Sequence, residues 1–343
     1  MDTAAIPGWP GAGFAPALEA FAAGCAAIAP AHALRGACEA SAALAPGDEQ
    51  AARRFFEQHF SAYAVRSGGG VHEGLVTGYY EPVLAGSRTP SRRHRHAIYG
   101  PPPDLVAVEL AELHPELRHL RLRGRLEGNR LVPYWARAEI EALGPRLGAP
   151  ALAWVEDAVE LFFLQIQGSG QIELAGGERI RLGYADQNGH PYRSLGRHLV
   201  ERGELALHEA SMQGIKAWAA ANPGKLRDAL NANASYVFFR ELPAAGGPPG
   251  TLGVPLTPGR SLAVDPRYVP LGAPVFLATT RPLSDEPLER LMVAQDTGGA
   301  IRGAVRADYF WGTGPEAGAQ AGRMRSRGRM WLLWPRGLPL PQP

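Results

Sequence analysis

Between residues 291 and 314 the chain reads LMVAQDTGGAIRGAVRADYFWGTG and sets two carboxylates, Asp296 and Asp308, twelve positions apart. Glycines lie between them, and the aromatic run Tyr309-Phe310-Trp311 follows the second. Apolar surroundings disfavour the charged form of a carboxyl group and let it keep its proton at higher pH, which acid catalysis on a sugar requires. Asp308, with Val305 before it and three aromatics after it, is therefore the candidate acid. Asp296 stands beside Gly298 and Gly299, where the backbone can turn tightly. Its expected role is to hold that loop or to add a like charge that raises the pKa of Asp308. Asp265 precedes Pro266 and reads as a turn or cap residue.

Other chemistries fit less well. Asp296-Thr297-Gly298 could open an aspartic protease site, but that reaction needs two carboxylates sharing one proton, and no second D-T-G or D-S-G occurs. His72-Glu73 lacks the second histidine of a metalloprotease helix, and His94 and His96 lack carboxylate or cysteine company, so no metal or other cofactor is expected. Gly168-Ser169-Gly170 falls short of a nucleophile elbow because residue 167 is Gln.

Sugar recognition uses aromatic faces, amides, hydroxyls and backbone groups. Such residues cluster at Thr77-Gly78-Tyr79-Tyr80-Glu81-Pro82, at Gln165-Ile166-Gln167-Gly168-Ser169-Gly170, and at Ser235-Tyr236-Val237-Phe238-Phe239. Val237 and Phe239 read as core. Gln165 and Gln167 alternate with apolar residues, and buried amides are costly without a partner. They are expected to lie on one face of a strand and to bind something.

The elements that must position these groups change along the chain. Residues 17 to about 65 read as helix, with Pro46-Gly47-Asp48 opening the last segment. Residues 71 to 85 carry the β-branched and aromatic character of strands. RAEIEAL, 137–143, reads as a short helix. Residues 152–170 read as an amphipathic helix running into a Leu164-Gln165-Ile166-Gln167 strand. QIEL and RIRLGYA continue as strands, and two helices follow, the second interrupted at Asn222-Pro223. From 251 onward, short apolar runs alternate with Gly and Pro turns, a nearly all-β pattern with a barrel-like signature. The LPLPQP tail is expected to be flexible.

At 343 residues the chain has room for two domains. Net charge is 35 − 33 = +2, too small to argue for nucleic acid, and the one basic run, Arg92-Arg93-His94-Arg95-His96, reads as a solvated loop or a surface for an anionic polymer. The two cysteines, Cys25 and Cys38, fit either one disulfide or two buried thiols. No apolar run reaches membrane-spanning length, and no basic, then apolar, signal peptide is visible. Ala22-Ala23-Gly24-Cys25 looks superficially like a lipoprotein cleavage site, but Pro7, Pro10, Pro16 and Glu19 precede it and no Lys or Arg does.

Taken together, TGYYEP at 77–82, IYGPPPDLV at 98–106, PYWARAEIE at 133–141, FFLQIQGSG at 162–170, RLGYADQNGHPYRSLG at 181–196, NASYVFFRE at 233–241 and the stretch from VPLTPGRSLAVDP onward resemble the membrane-bound lytic murein transglycosylase A family over most of the chain. The C-terminal part resembles the three-aspartate domain, whose namesake residues fall at Asp265, Asp296 and Asp308. The resemblance implies a mainly β fold with flanking helices: a double-psi β-barrel plus a smaller inserted β-rich domain, with a glycan groove between them. Residues 1–82 would hold the N-terminal helices and the first part of the barrel, 83–235 the insert, 236–337 the rest of the barrel, and 338–343 the tail. It implies non-hydrolytic cleavage of the β-1,4 MurNAc–GlcNAc bond of peptidoglycan to 1,6-anhydro products, with Asp308 as acid and then base and with Asp296 and Asp265 in support. Thr77, Tyr79, Tyr80, Gln165, Gln167, Gly168, Ser169, Tyr184, Ser235, Tyr236, Gly298 and Gly299 would contact the substrate. It further implies glycan strands as the partner, admits cell-wall synthesis or division proteins, and points to the periplasm, with any outer-membrane anchor carried on a leader outside this chain.

Overall fold

A computed structural model describes residues 1–117, 120–243 and 246–341. It divides into two compact units, residues 1–80 with 246–343, and residues 81–245. In the first unit, α1 (Phe14–Cys25), α2 (Arg35–Ser41) and α3 (Glu49–His59) precede β1 (Phe60–Ala64) and β2 (Gly74–Glu81). Asp48 starts α3 by accepting from the Ala51 N–H, one of the orphan donors of a helix N-terminus. The expected helix thus ends at His59, where Phe60 turns extended and β1 begins. Cys25 and Cys38 are joined as a disulfide, with Cα atoms 5.5 Å apart, which ties the end of α1 to α2.

The second unit carries β3 (Val83–Ser87), β4 (His96–Tyr99), β5 (Val106–Ala107), β6 (Arg123–Glu127), β7 (Arg130–Pro133), α4 (Arg137–Leu143), β8 (Ala151–Val155), α5 (Ala158–Gln167), β9 (Ser169–Glu173), β10 (Arg179–Gln187), α6 (Leu195–Glu201), α7 (Met212–Ala221), α8 (Pro223–Asn231) and β11 (Val237–Leu242). Its six-stranded sheet has the order β11-β10-β9-β3-β8-β4, and β5-β6-β7 form a small separate sheet. The expected helix at 152 begins instead as β8, and Leu164 to Gln167 are the end of α5 rather than a strand. Asp157 caps α5 by accepting from Val159 and Glu160, and Gly168, at φ 77°, closes it in the left-handed conformation. Leu161 and Leu164 pack into one core while Val159, Phe162 and Phe163 pack into another. A helix apolar on two sides loses the 3.6-residue stripe that identifies it in sequence.

The chain then returns to the first unit with β12 (Ser261–Val264), β13 (Pro274–Thr280), β14 (Pro287–Asp296), β15 (Arg306–Thr313), α9 (Pro315–Ala321) and β16 (Arg325–Pro335). The sheet order is β1-β16-β13-β14-β12-β15-β2, and β2 also pairs with β16, so the pairing returns on itself. The architecture is mainly β with flanking helices, as expected. α9 interrupts the C-terminal β pattern, with Pro315 in its first turn. The largest core lies in this unit: Trp9, Phe14, Phe21, Phe56 and Phe60 pack with Phe276, Leu291, Tyr309 and Leu333.

Candidate active site

Strand register brings the two aspartates together. β12 lies between β14 and β15, and Ala263 is the register partner of Asp296 on one side and of Asp308 on the other. Directly opposed residues share a sheet face, so both carboxylates project over the small Ala263 side chain, their Cα atoms roughly 10 Å apart at two strand spacings. A bulge makes this possible. Leu262 pairs with Ala294 but Ala263 pairs with Asp296, leaving Gln295 as the extra residue. Gln295 is fully buried, accepts from the Ser261 hydroxyl, and donates to the Ala20 carbonyl at 2.8 Å. Its satisfied amide holds the bulge that aims Asp296.

Asp308 is half-buried. Its Oδ1 accepts from the Thr77 hydroxyl at 2.6 Å, and the Arg306 guanidinium donates to that same Thr77 oxygen at 3.0 Å. Burial raises the carboxyl pKa, the Thr77 hydrogen bond and Arg306 oppose this, and the nearby Asp296 charge adds to it; the result is about 6. Strand alternation decides which aromatics contribute. Asp308 and Phe310 point to one face, Tyr309 and Trp311 to the other. Phe310 packs against Tyr79 with ring centroids 5.1 Å apart. Tyr309 and Trp311 pack on each other at 4.7 Å and join the core. Of the three aromatics expected around the acid, the pleat leaves Phe310 beside it.

Asp296 is also half-buried, and its Oδ1 accepts from the Thr251 N–H at 2.9 Å, the Thr251 hydroxyl at 2.8 Å and the Thr297 N–H at 2.9 Å. Burial outweighs these bonds and raises its pKa. The buried Tyr79 hydroxyl faces this pair: desolvation lifts its pKa first, and then the charges of Asp296 and Asp308. Thr77 and Tyr79 share one face of β2, whereas Gly78 and Tyr80 share the other. A Cβ on Gly78 would come within 2.6 Å of the Trp311 indole nitrogen. Tyr80 is buried and lies against Gly318 of α9, away from the aspartates.

Asp265, expected as a turn residue, is one. It is buried, accepts from the Arg267 guanidinium at 2.6 and 3.0 Å, and its backbone carbonyl receives the Tyr268 and Val269 N–H groups. It also accepts from the Gly303 N–H at 2.8 Å. Gly303, at φ 111°, sits in the loop joining Asp296 to Asp308, so Asp265 pins the connection between them. The Arg267 hydrogen bond, outweighing burial, brings the Asp265 pKa down to about 2. Gly298 and Gly299 follow Asp296 in that loop with ordinary backbone angles; at Gly298 a side chain would meet Ile301.

The remaining expected residues lie in the second unit. Gln165 is buried and its amide oxygen accepts from Arg137 at 2.6 Å. Arg137 also donates to the carbonyls of Asn233 at 3.0 Å and Ser235 at 2.7 Å, and its guanidinium lies between the rings of Phe162 and Tyr236. A protein cation, rather than a ligand, satisfies the glutamine. Ser235 and Tyr236 belong to the same buried knot. Gly168 caps α5, Gln167 ends that helix, and Ser169 opens β9. Tyr184 is half-buried under Arg121, which stacks at 5.5 Å and donates to its hydroxyl at 3.3 Å. Sequence reasoning missed Thr251, Gln295, Arg306 and Arg137. Period-two alternation would have flagged Arg306, two positions before Asp308; the others lie too far from their partners to leave a local signal.

Residues 75–240 match the family described as the MltA specific insert domain, and residues 260–334 match the 3D domain. The chain is 42% identical to a crystal structure of MltA from Neisseria gonorrhoeae, covering 99% of this chain and 92% of that one with a TM-score of 0.87. The crystal structure of Escherichia coli MltA with bound chitohexaose is 29% identical, with 94% and 86% covered and a TM-score of 0.67. The membrane-bound lytic murein transglycosylase A of Escherichia coli K12 is 35% identical over 267 residues, which are 75% of this chain and 64% of that relative. The chain therefore spans just under two thirds of the length of that curated relative.

Proposed function

Because this chain belongs to the membrane-bound lytic murein transglycosylase A family, we propose that it cleaves the β-1,4 bond between N-acetylmuramic acid and N-acetylglucosamine in peptidoglycan without water. The muramic C6 hydroxyl attacks C1, leaving a 1,6-anhydro product. The observation that carries this reading is Asp308: half-buried, hydrogen-bonded on one oxygen by Thr77, and lifted to a pKa of about 6. At pH 7 about a tenth of such a group is protonated, enough to serve as an acid. The proton passes from Asp308 to the glycosidic oxygen as the C1–O bond breaks. The resulting carboxylate then takes the C6 hydroxyl proton as the C1–O6 bond forms, and the enzyme returns to its starting state. The substrate supplies the nucleophile, so one carboxyl group suffices where a hydrolase uses two. Asp296 supports it by adding negative charge nearby, and Thr77 and Arg306 keep the base form available.

Glycan strands are the partner this reading requires, in keeping with the chitohexaose bound to the Escherichia coli relative. The Cys25–Cys38 disulfide fits an oxidising compartment such as the periplasm. No helix among the described residues is long and apolar enough to cross a membrane. Digestion of purified sacculi tests the proposal: mass spectrometry should find anhydromuropeptides from the wild type and roughly a thousandfold fewer from folded Asp308→Asn. Muropeptides with a reducing-end muramic acid would instead mean a water-using muramidase with Asp296 as its second carboxylate.

A further inference from the structure

Arg325 is the register partner of Thr77 on the strand next to β2, and Arg327 the partner of Leu75. Opposed residues share a face, so Arg325 projects on the same side as Thr77, whose hydroxyl holds Asp308. Strand period two places Arg327 and Arg329 on that side as well. All three are exposed, and no carboxylate among the described residues forms an ion pair with any of them. They form a basic lane that starts at the register partner of Thr77, roughly two strand spacings or about 10 Å from the proposed acid, and runs about 13 Å along β16, at roughly 3.3 Å per residue. It leads to a cavity of about 650 Å³ whose walls include Arg66, His72, Glu73, Arg327, Arg329 and Trp331. Arg329 lies over the Trp331 ring at 5.6 Å, which steadies its head group. One carboxylate against three guanidinium groups leaves this recess cationic. An uncharged glycan gives an enzyme no reason to present such a lane.

We infer that Arg325, Arg327 and Arg329, with the recess behind them, bind the carboxylates of the stem peptide on the muramic acid residue next to the cleaved bond. This inference rests on the peptidoglycan reading above. A guanidinium fork matches a carboxylate bidentately, and a four-residue peptide, extended, spans about 13 Å, the length of the lane. The enzyme would thereby favour peptide-bearing strands over strands stripped of peptide.

Sedimentation with sacculi tests this apart from turnover. Asp308→Asn protein would be spun with intact sacculi and with sacculi freed of stem peptides by an amidase. Binding to intact material should be roughly tenfold tighter, the scale of three exposed charge pairs acting together, and the gap should narrow as salt rises. Adding Arg325→Gln and Arg327→Gln, which leave the Trp331 contact in place, should bring the two affinities close together. Arg54→Gln, an exposed arginine on α3, serves as the control and should keep the gap. Equal binding of the parent protein to both materials, or a gap that survives the two glutamines, overturns the inference. So does binding to anionic phospholipid vesicles that the two glutamines abolish while the gap between the two sacculus preparations survives, which would make the lane a membrane contact. Absence of anhydromuropeptides from the wild type would overturn the catalytic reading while leaving this binding result to stand or fall separately.

Discussion

Asp308 carries its own pH dependence. As the proposed acid it would work while protonated, so kcat/KM should fall as pH rises through about 6, the pKa set by burial against the opposing Thr77 bond. Thr77 donates to the charged form, so Thr77→Val should move that falling limb to higher pH while lowering the maximal rate; a limb that stays in place would separate Thr77 from the titrating group. Asp308→Asn should reduce turnover roughly 10³-fold, within the range for general acid–base groups. Stability moves the other way. The folded pKa lies above the ordinary 3.8, so the native state binds more protons than the unfolded chain between about pH 4 and 6. Stability from this group is complete below that window and lost as pH rises through it. At pH 7 Asp308→Asn should therefore melt higher than the wild type, by about 1–2 kcal/mol once solvent screening of a half-buried group is allowed for, and the difference should vanish near pH 4. Asp265, held down to about 2, contributes in the opposite sense: its stability is present above about pH 4 and lost as pH falls toward 2.

At the scale of elements, the site depends on how β2, β12, β14 and β15 align. Gly78 is the point where that alignment leaves no room: a Cβ would stand 2.6 Å from the Trp311 indole nitrogen and 2.9 Å from the Ala321 Cα. Gly78→Ala should push β2 away from β15 and α9, costing about 2–3 kcal/mol in denaturant titration and separating Thr77 from Asp308; an unchanged midpoint with normal activity would show that the strand yields freely. Part of this layer was readable in advance. Asp296 and Asp308 stand out as candidates by residue type and local glycine and aromatic neighbours, Asp48 marks the start of α3, and the expected interruption at Asn222-Pro223 is where α7 gives way to α8. What was not readable is register. Thr77 lies 231 residues from Asp308, and a one-residue bulge at Gln295 decides which face Asp296 occupies. The glutamines of α5 show the complementary failure. Gln165 was legible as a buried amide needing a partner, but its partner, Arg137, sits 28 positions upstream, so a structural knot resembled a binding strand.

At the scale of the whole molecule, the two units draw stability from different sources. Among the described residues the second unit has three apolar clusters of its own, and its sequence has no cysteine. In the first unit, α1 and α2 are cross-linked by Cys25–Cys38, and α1 packs Phe14, Leu18 and Phe21 into the main core while its Ala20 carbonyl receives Gln295. The disulfide therefore stands one step from the bulge that aims Asp296. Closing a loop of this length restricts the unfolded chain by about 3 kcal/mol. Reduction, or a Cys25→Ser and Cys38→Ser pair, should lower the stability of the first unit by about that amount. Hydrogen exchange should then speed up in α1, α2 and the Gln295 segment of β14, while the amides of β9 and β10 keep their protection. Activity should fall under reducing conditions in step with the loss of protection at β14. Equal acceleration in both units would mean that they unfold as one, and no acceleration at β14 would break the proposed link between the disulfide and the strand that carries Asp296.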